Sequence, residues 1–157
     1  MKRILMLAIA GMLLLSACGT KEVKGADIEV QNYWARAALK DGNGAAYMVL
    51  SNGTQTDDEV VGVSCNIATA AEIHLSQMKA DGTMEMLPQE SVALPAGSTL
   101  EFKPGSYHVM LIGLKQDLNT GDKIILTLHF KNHEDITLTV PIQDAANMGG
   151  SGMDGMP

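Results

Sequence analysis

The chain has 157 residues, of which 46% are hydrophobic and only 4% aromatic, and it carries a formal net charge of −7. That length suits one domain with a single core, and the acidic balance excludes charge-driven binding to nucleic acid or to anionic lipid head groups. Of its two cysteines, Cys18 sits in a processing motif, so Cys65 has no partner for an internal disulfide.

In chain order, Lys2 and Arg3 precede an apolar run over residues 4–15, which ends at once in Leu15-Ser16-Ala17-Cys18. About a dozen apolar residues fall short of the roughly 20 that a membrane-crossing helix needs. The positive start, the apolar run and the small residues before a cysteine have the layout of a secretory signal with a lipobox. Residues 1–17 are therefore expected to be cleaved as a lipoprotein signal peptide, with Cys18 as the lipidated N-terminus and 18–26 as a polar tether. Ordinary secretion with an incidental cysteine is the alternative. Several acyl chains hold a protein to a membrane far more firmly than one, so the expected location is extracytoplasmic and lipid-anchored, on the periplasmic or cell-surface side. Cleavage lowers Lys plus Arg from 11 to 9 against 18 Asp plus Glu, a net charge of −9, and leaves eight of the 11 methionines.

From residue 27 the texture is β. Runs at 46–50, 59–63, 98–102 and 123–130 are rich in β-branched or aromatic residues, and turn signals separate them: Asp41-Gly42-Asn43-Gly44, Asn52-Gly53, Asp81-Gly82, Pro95-Ala96-Gly97, Pro104-Gly105 and Asn119-Thr120-Gly121-Asp122. Strands so spaced, with no long helical period, predict an all-β fold, an antiparallel sandwich or small barrel, over residues 27–143. Residues 69–73 are ambiguous and could form a helical turn. Cys65, within Val60-Val61-Gly62-Val63-Ser64-Cys65, reads as a small buried apolar residue. Trp34, Tyr47 and Tyr107 read as core or site-rim packing. Residues 144–157 turn to Gly, Ser, Asn and Asp with Met148, Met153 and Met156, and read as a disordered tail.

The chemistry lies mid-chain. His108 and Met110 are two apart, so an extended strand projects both from one face while Tyr107, Val109 and Leu111 take the other. His74, Met78, Met84 and Met86 belong to a preceding segment that folds back at Asp81-Gly82, and Met84 and Met86 share a face. Taken singly, each methionine reads as core filler. Together, imidazoles and thioethers from two segments can converge on one soft metal ion, and thioethers favour Cu(I).

These residues carry a resemblance. His74, Met86, His108 and Met110, spaced His-x11-Met-x21-His-x-Met, are similar to the signature of the PCuAC family of periplasmic copper chaperones. The flanking segments agree: Tyr33-Trp34-Ala35-Arg36, residues 44–52, Leu94-Pro95-Ala96-Gly97, residues 103–111 and Gly113-Leu114-Lys115. The resemblance covers residues 27 to 142, and the chain looks like a lipoprotein form.

The resemblance implies a cupredoxin-like, Ig-like β-sandwich that lacks a blue-copper cysteine. Its exposed site is expected to bind one Cu(I) through His74, Met86, His108 and Met110. It also implies delivery of that ion to the dinuclear copper centre of cytochrome c oxidase subunit II, alone or with Sco-type thiol proteins. Many relatives have a methionine close after the first histidine, whereas here Leu75 follows His74. Met78 and Met84 therefore stay open as substitutes, and Met148, Met153 and Met156 as a weak tail site. With no acid–base pair or phosphate loop in evidence the chain is not expected to be an enzyme, and it is expected to be a monomer. Copper buffering or resistance without an oxidase client shares every ligand. A blue electron-transfer site would need a cysteine near His108 and Met110, and a plain scaffold lipoprotein would use the methionines only for packing.

Overall fold

Ten strands and no helix form the regular structure of residues 27–144, the part of the chain that the computed structural model describes. They are β1 (Ile28–Arg36), β2 (Gly44–Asn52), β3 (Asp58–Cys65), β4 (Ala68–Met78), β5 (Met84–Gln89), β6 (Val92–Leu94), β7 (Thr99–Phe102), β8 (Tyr107–Leu114), β9 (Lys123–Phe130) and β10 (Ile136–Gln143). The signal at 1–17, Cys18, the tether, and the tail with Met148, Met153 and Met156 lie outside the described residues. Three of the four runs read as strands fall within a strand, the fourth, 98–102, matches β7 from Thr99 onward with Ser98 outside it, and the ambiguous 69–73 stretch belongs to β4. Pairing with β8 decides it, through Ala70–Ile112, Ala71–Leu111, Glu72–Met110 and Ile73–Val109.

The strands form one ladder in the order β5-β4-β8-β7-β2-β1-β10-β9-β3-β6. Pairing is antiparallel except where β1 meets β10, through Ala35–Ile142 and Arg36–Gln143, and at the single Phe102–Tyr107 pair between β7 and β8. The ladder folds over at the β1–β10 junction, so its two halves cover one shared core. Met48, Leu50, Phe102, Val109 and Leu111 enter that core from one half, and Val60, Leu126, Leu128 and Val140 from the other. Each such side chain contributes about 1.5–3 kcal/mol of burial free energy. The result is the cupredoxin-like β-sandwich expected from the sequence.

Two turns position the site. Between β4 and β5, Gly82 has φ +82°, a left-handed conformation that costs other L-residues steric strain. The Asp81 carboxylate accepts from the Thr83 backbone N–H at 2.9 Å, and Lys79 N–H donates to Thr83 O at 2.8 Å. This closes the hairpin in the register that puts Met84 opposite Met78, Met86 opposite Ser76 and Pro88 opposite His74. Before β8, Gly105 at φ +78° turns the chain, and Lys103 N–H donates to Tyr107 O at 2.8 Å. Cys65 is half-buried against the core rather than fully enclosed. Burial pushes its thiol above the ordinary value, which favours the protonated form.

Candidate metal centre

β4 lies between the edge strand β5 and β8, and the faces of all three strands are fixed by their register. On the inner face, Ile73 meets Val109, and both are buried in the core. Opposite partners in an antiparallel pair share a face. The outer face therefore carries Glu72, His74, Ser76 and Met78 on β4, Met84, Met86 and Pro88 on β5, and His108 and Met110 on β8. All four residues of the His-x11-Met-x21-His-x-Met pattern share that face. His74 is directly opposite His108, with ring centroids 6.0 Å apart. Met110 is opposite Glu72, and Met86 is opposite Ser76, so each is one diagonal step from His74.

The outer face is not open everywhere. Residues 36–44 fold over it and wall a cavity of about 560 Å³, whose lining includes Arg36, Tyr47, Met86, His108 and Met110. His108, in the lining of this cavity, is only 6% exposed although it lies on the outer face, whereas Met86 is 57% exposed. The expected exposed site is thus a recess with histidine at its base and thioether at its rim. Met78 and Met84 are outside the cavity lining, opposite each other near the hairpin tip. Trp34 and Tyr47 stack at 4.7 Å between centroids beside the recess. Burial raises the Tyr47 phenol above its ordinary range, with Arg36 offsetting part of the rise, so its hydroxyl stays neutral. Tyr107 packs on Phe102.

Hydrogen bonding assigns the ring nitrogens. The Glu72 carboxylate can only accept, and it is 2.9 Å from His74 Nε2, so Nε2 carries the hydrogen and Nδ1 the lone pair of the neutral ring. That Nδ1 is buried and has no hydrogen-bond partner; it is the one buried side-chain nitrogen or oxygen among the described residues in that state. For His108 the assignment reverses: Nδ1 donates to the Ser106 carbonyl at 3.1 Å, leaving the lone pair on Nε2. The other two histidines have both ring nitrogens engaged, His129 by Asp135 and Ser64 and His133 by Asp27 and Glu134 O.

A buried ring nitrogen without a partner costs about 1–3 kcal/mol, and a soft cation bound to it removes that cost. Carboxylate–histidine pairs of the Glu72–His74 kind commonly orient metal ligands. Sequence reading did not single out Glu72, although Glu72-Ile73-His74 has the same one-face spacing as His108-Val109-Met110. It also left Ser106 unremarked, since a backbone carbonyl acceptor has no side-chain signal.

The family model for LpqE-like lipoproteins matches residues 28–142. Lxx21020 of Leifsonia xyli subsp. xyli, named as a lipoprotein, is 32% identical over 117 residues, which is 74% of this chain and 70% of that one. The uncharacterized protein RP573 of Rickettsia prowazekii is 31% identical over 114 residues, 69% of this chain and 62% of its own length. Among solved structures, the apo PCuAC domain from PmoF1 superposes with a TM-score of 0.64 at 24% identity, covering 74% of this chain and 93% of that one. The copper-bound PCuAC domain from PmoF2 gives 0.62 at 22%, covering 74% and 92%. At these identities the likeness is one of fold. Cu(I)-bound DR1885 from Deinococcus radiodurans is 26% identical with a TM-score of 0.54, covering 74% of this chain and 79% of that one.

Proposed function

This chain belongs to the family of LpqE-like lipoproteins and has the PCuAC fold, and from that premise we propose that it is an extracytoplasmic, lipid-anchored Cu(I) chaperone rather than an enzyme. The observation that carries this reading is the partnerless buried Nδ1 of His74, directly opposite His108 and beside a recess lined by Met86, His108 and Met110. In this reading one Cu(I) is held by His74 Nδ1, His108 Nε2 and the thioether sulfurs of Met86 and Met110. A relative 26% identical is described in its Cu(I) form, which supports the choice of ion.

The donor set accounts for carriage and release. Four neutral ligands leave the ion its single positive charge, and thioethers give up a soft ion more readily than thiolates, so an acceptor containing cysteines takes it by ligand exchange. Met86 at the mouth is the ligand such an acceptor reaches first. The client in this reading is the dinuclear copper centre of cytochrome c oxidase subunit II, with Sco-type thiol proteins as partners. The chain acts as a monomer held to the membrane by lipid on Cys18.

The test is direct transfer. The Cu(I)-loaded protein is mixed with the apo copper domain of subunit II, and X-ray absorption is measured on both after separation. Movement of copper to the oxidase domain, with loss of the mixed nitrogen–sulfur shell here, is the expected result. Retention of copper, together with copper sensitivity but intact oxidase in a strain lacking the gene, would assign buffering instead.

A further inference from the structure

Three of the exposed large hydrophobic side chains are methionines on one face of one hairpin: Met78 at 64%, Met84 at 50% and Met86 at 57%. Met86 lines the recess, whereas Met78 and Met84 lie outside its lining. On the two strands of the hairpin this end of the outer face carries only Ser76 besides the methionines, and the exposed Leu39 of the 36–44 segment lines the recess together with Met86. The anchors of protein-docking patches are enriched in Trp, Tyr and Arg, and the outer face of β4 and β5 carries none of these. The thioethers of the hairpin itself are ligands that prefer a soft ion.

Met78 and Met84 are direct partners in the β4–β5 register. Opposite residues in an antiparallel pair have Cβ atoms about 4.5–5.5 Å apart, and the flexible, unbranched methionine side chain lets two such sulfurs turn toward one ion. Met86 follows two positions after Met84 on the same face. The thioethers thus form a continuous row from the hairpin tip to the mouth of the recess.

We propose that Met78 and Met84 form an outer, sulfur-only Cu(I) site through which the ion passes to Met86 and on to the His74–His108 site. The proposal rests on the inner site being a copper site. Each step exchanges one neutral ligand for another, thioether for thioether along the hairpin and then thioether for imidazole at His74 and His108, so the ion stays Cu(I) and neither an electron nor a proton is transferred. The outer pair has two soft ligands and no imidazole, which makes it the weaker of the two sites and suits it to collection and release. The Lys79–Glu85 ion pair at 2.9 Å braces the same hairpin end, joining the residue after Met78 to the residue after Met84.

The test follows each methionine methyl by NMR in protein labelled with 13C at the methionine methyl groups. The protein is titrated with Cu(I), and separately with Ag(I) as a soft monovalent ion of the same charge. The first equivalent is expected to move Met86 and Met110, and the second Met78 and Met84. In the His74→Ala/His108→Ala variant the first equivalent should already move Met78 and Met84. The Met78→Leu/Met84→Leu variant should keep its first-equivalent affinity, lose the outer response and load about tenfold more slowly at limiting copper, because the local supply of ion is gone. Met78 and Met84 methyls unmoved through two equivalents, a second equivalent taken by Met148, Met153 and Met156 instead, or loading of the double leucine variant at the wild-type rate would each overturn the proposal. Failure of the inner-site reading has a separate signature: Met86 and Met110 stay still at the first equivalent whatever Met78 and Met84 do.

Discussion

His74 and His108 face each other across the β4–β8 ladder with opposite nitrogens engaged, Nε2 of the first by Glu72 and Nδ1 of the second by Ser106 O. In the tautomers that these contacts select, the two imidazoles offer one lone pair each, from different ring positions, on the same face of the sheet.

Removing either lone pair, or the thioether diagonal to it, weakens copper binding without unfolding the sandwich. His108→Ala and Met110→Ala are each expected to lower Cu(I) affinity about tenfold or more, measured by competition with a chromogenic Cu(I) chelator. Met48→Leu is the control. Met48 is 1% exposed in the core, and a volume-conserving swap there costs under about 1.5 kcal/mol and leaves affinity unchanged. Equal affinity in wild type and the His74→Ala/His108→Ala variant would sink the metal assignment.

Glu72 acts through His74 as a positioning residue. Its side chain is about half exposed, so Glu72→Ala has little effect on stability, yet it frees Nε2 and lowers Cu(I) affinity about 10-fold or more. Glu72→Gln retains an acceptor oxygen and should restore most of the loss. An alanine variant with wild-type affinity would show that the Glu72–His74 contact is incidental.

Stability should depend on pH through His133 and Asp27, which tie the start of β1 to the β9–β10 turn at 2.6 Å. Desolvation pulls the His133 pKa down, but hydrogen bonds to Asp27 and Glu134 O and the charges of Asp27 and Asp58 together raise it. The Asp27 pKa is lowered, chiefly by its hydrogen bond to His133. The raised histidine contributes fully below its unfolded value and loses the contribution as pH rises through its folded one; the lowered carboxylate contributes above its unfolded value and loses it as pH falls. The pair therefore stabilises most between about pH 4 and about pH 6.5. The melting-temperature difference between wild type and Asp27→Asn should be larger at about pH 5.5 than at about pH 8.5; a difference independent of pH would contradict this.

Gly82→Val places a β-branched residue at φ +82°. No neighbouring atom lies within 4 Å of the new Cβ, so the cost is backbone strain alone, about 1–2 kcal/mol. Gly82→Asn, which tolerates the left-handed region, should cost less. Chemical denaturation gives both values, and equal stability of the two variants would count against a strained turn.

In the lipoprotein reading proposed above, Cys18→Ser removes the thiol that would carry the lipid and should release the protein from the membrane fraction. Persistence of the variant in salt-washed membranes would show that the lipobox is not the anchor.

Much of this was legible along the chain, because the two signals concerned are local. Strand period alone puts His108 and Met110 on one face and Val109 and Leu111 on the other, and β8 buries the latter pair completely. Gly and Asn punctuation located the turns for the same reason, that a left-handed or tightly bent residue is specified by its own side chain. The 69–73 stretch was not legible: its small residues carry no period strong enough to separate a turn of helix from a strand, and pairing with β8 decides it.

The sequence by itself determined the residue types, their spacing and the alternation that places imidazole and thioether on the outer face of each strand. Only the tertiary structure decided which of them meet. Met84 and Met86 have the same parity, so nothing local distinguishes them; the Asp81-Gly82 hairpin register puts Met86 beside the recess and Met84 out opposite Met78. The insertion of β4 between β5 and β8 brings His74 to His108, and the tertiary fold buries His108, in a recess it shares with residues of the 36–44 segment, on a face that strand parity alone leaves to solvent. Register and cover depend on pairings between segments far apart in the chain, and those are set by the shared core rather than by any one strand.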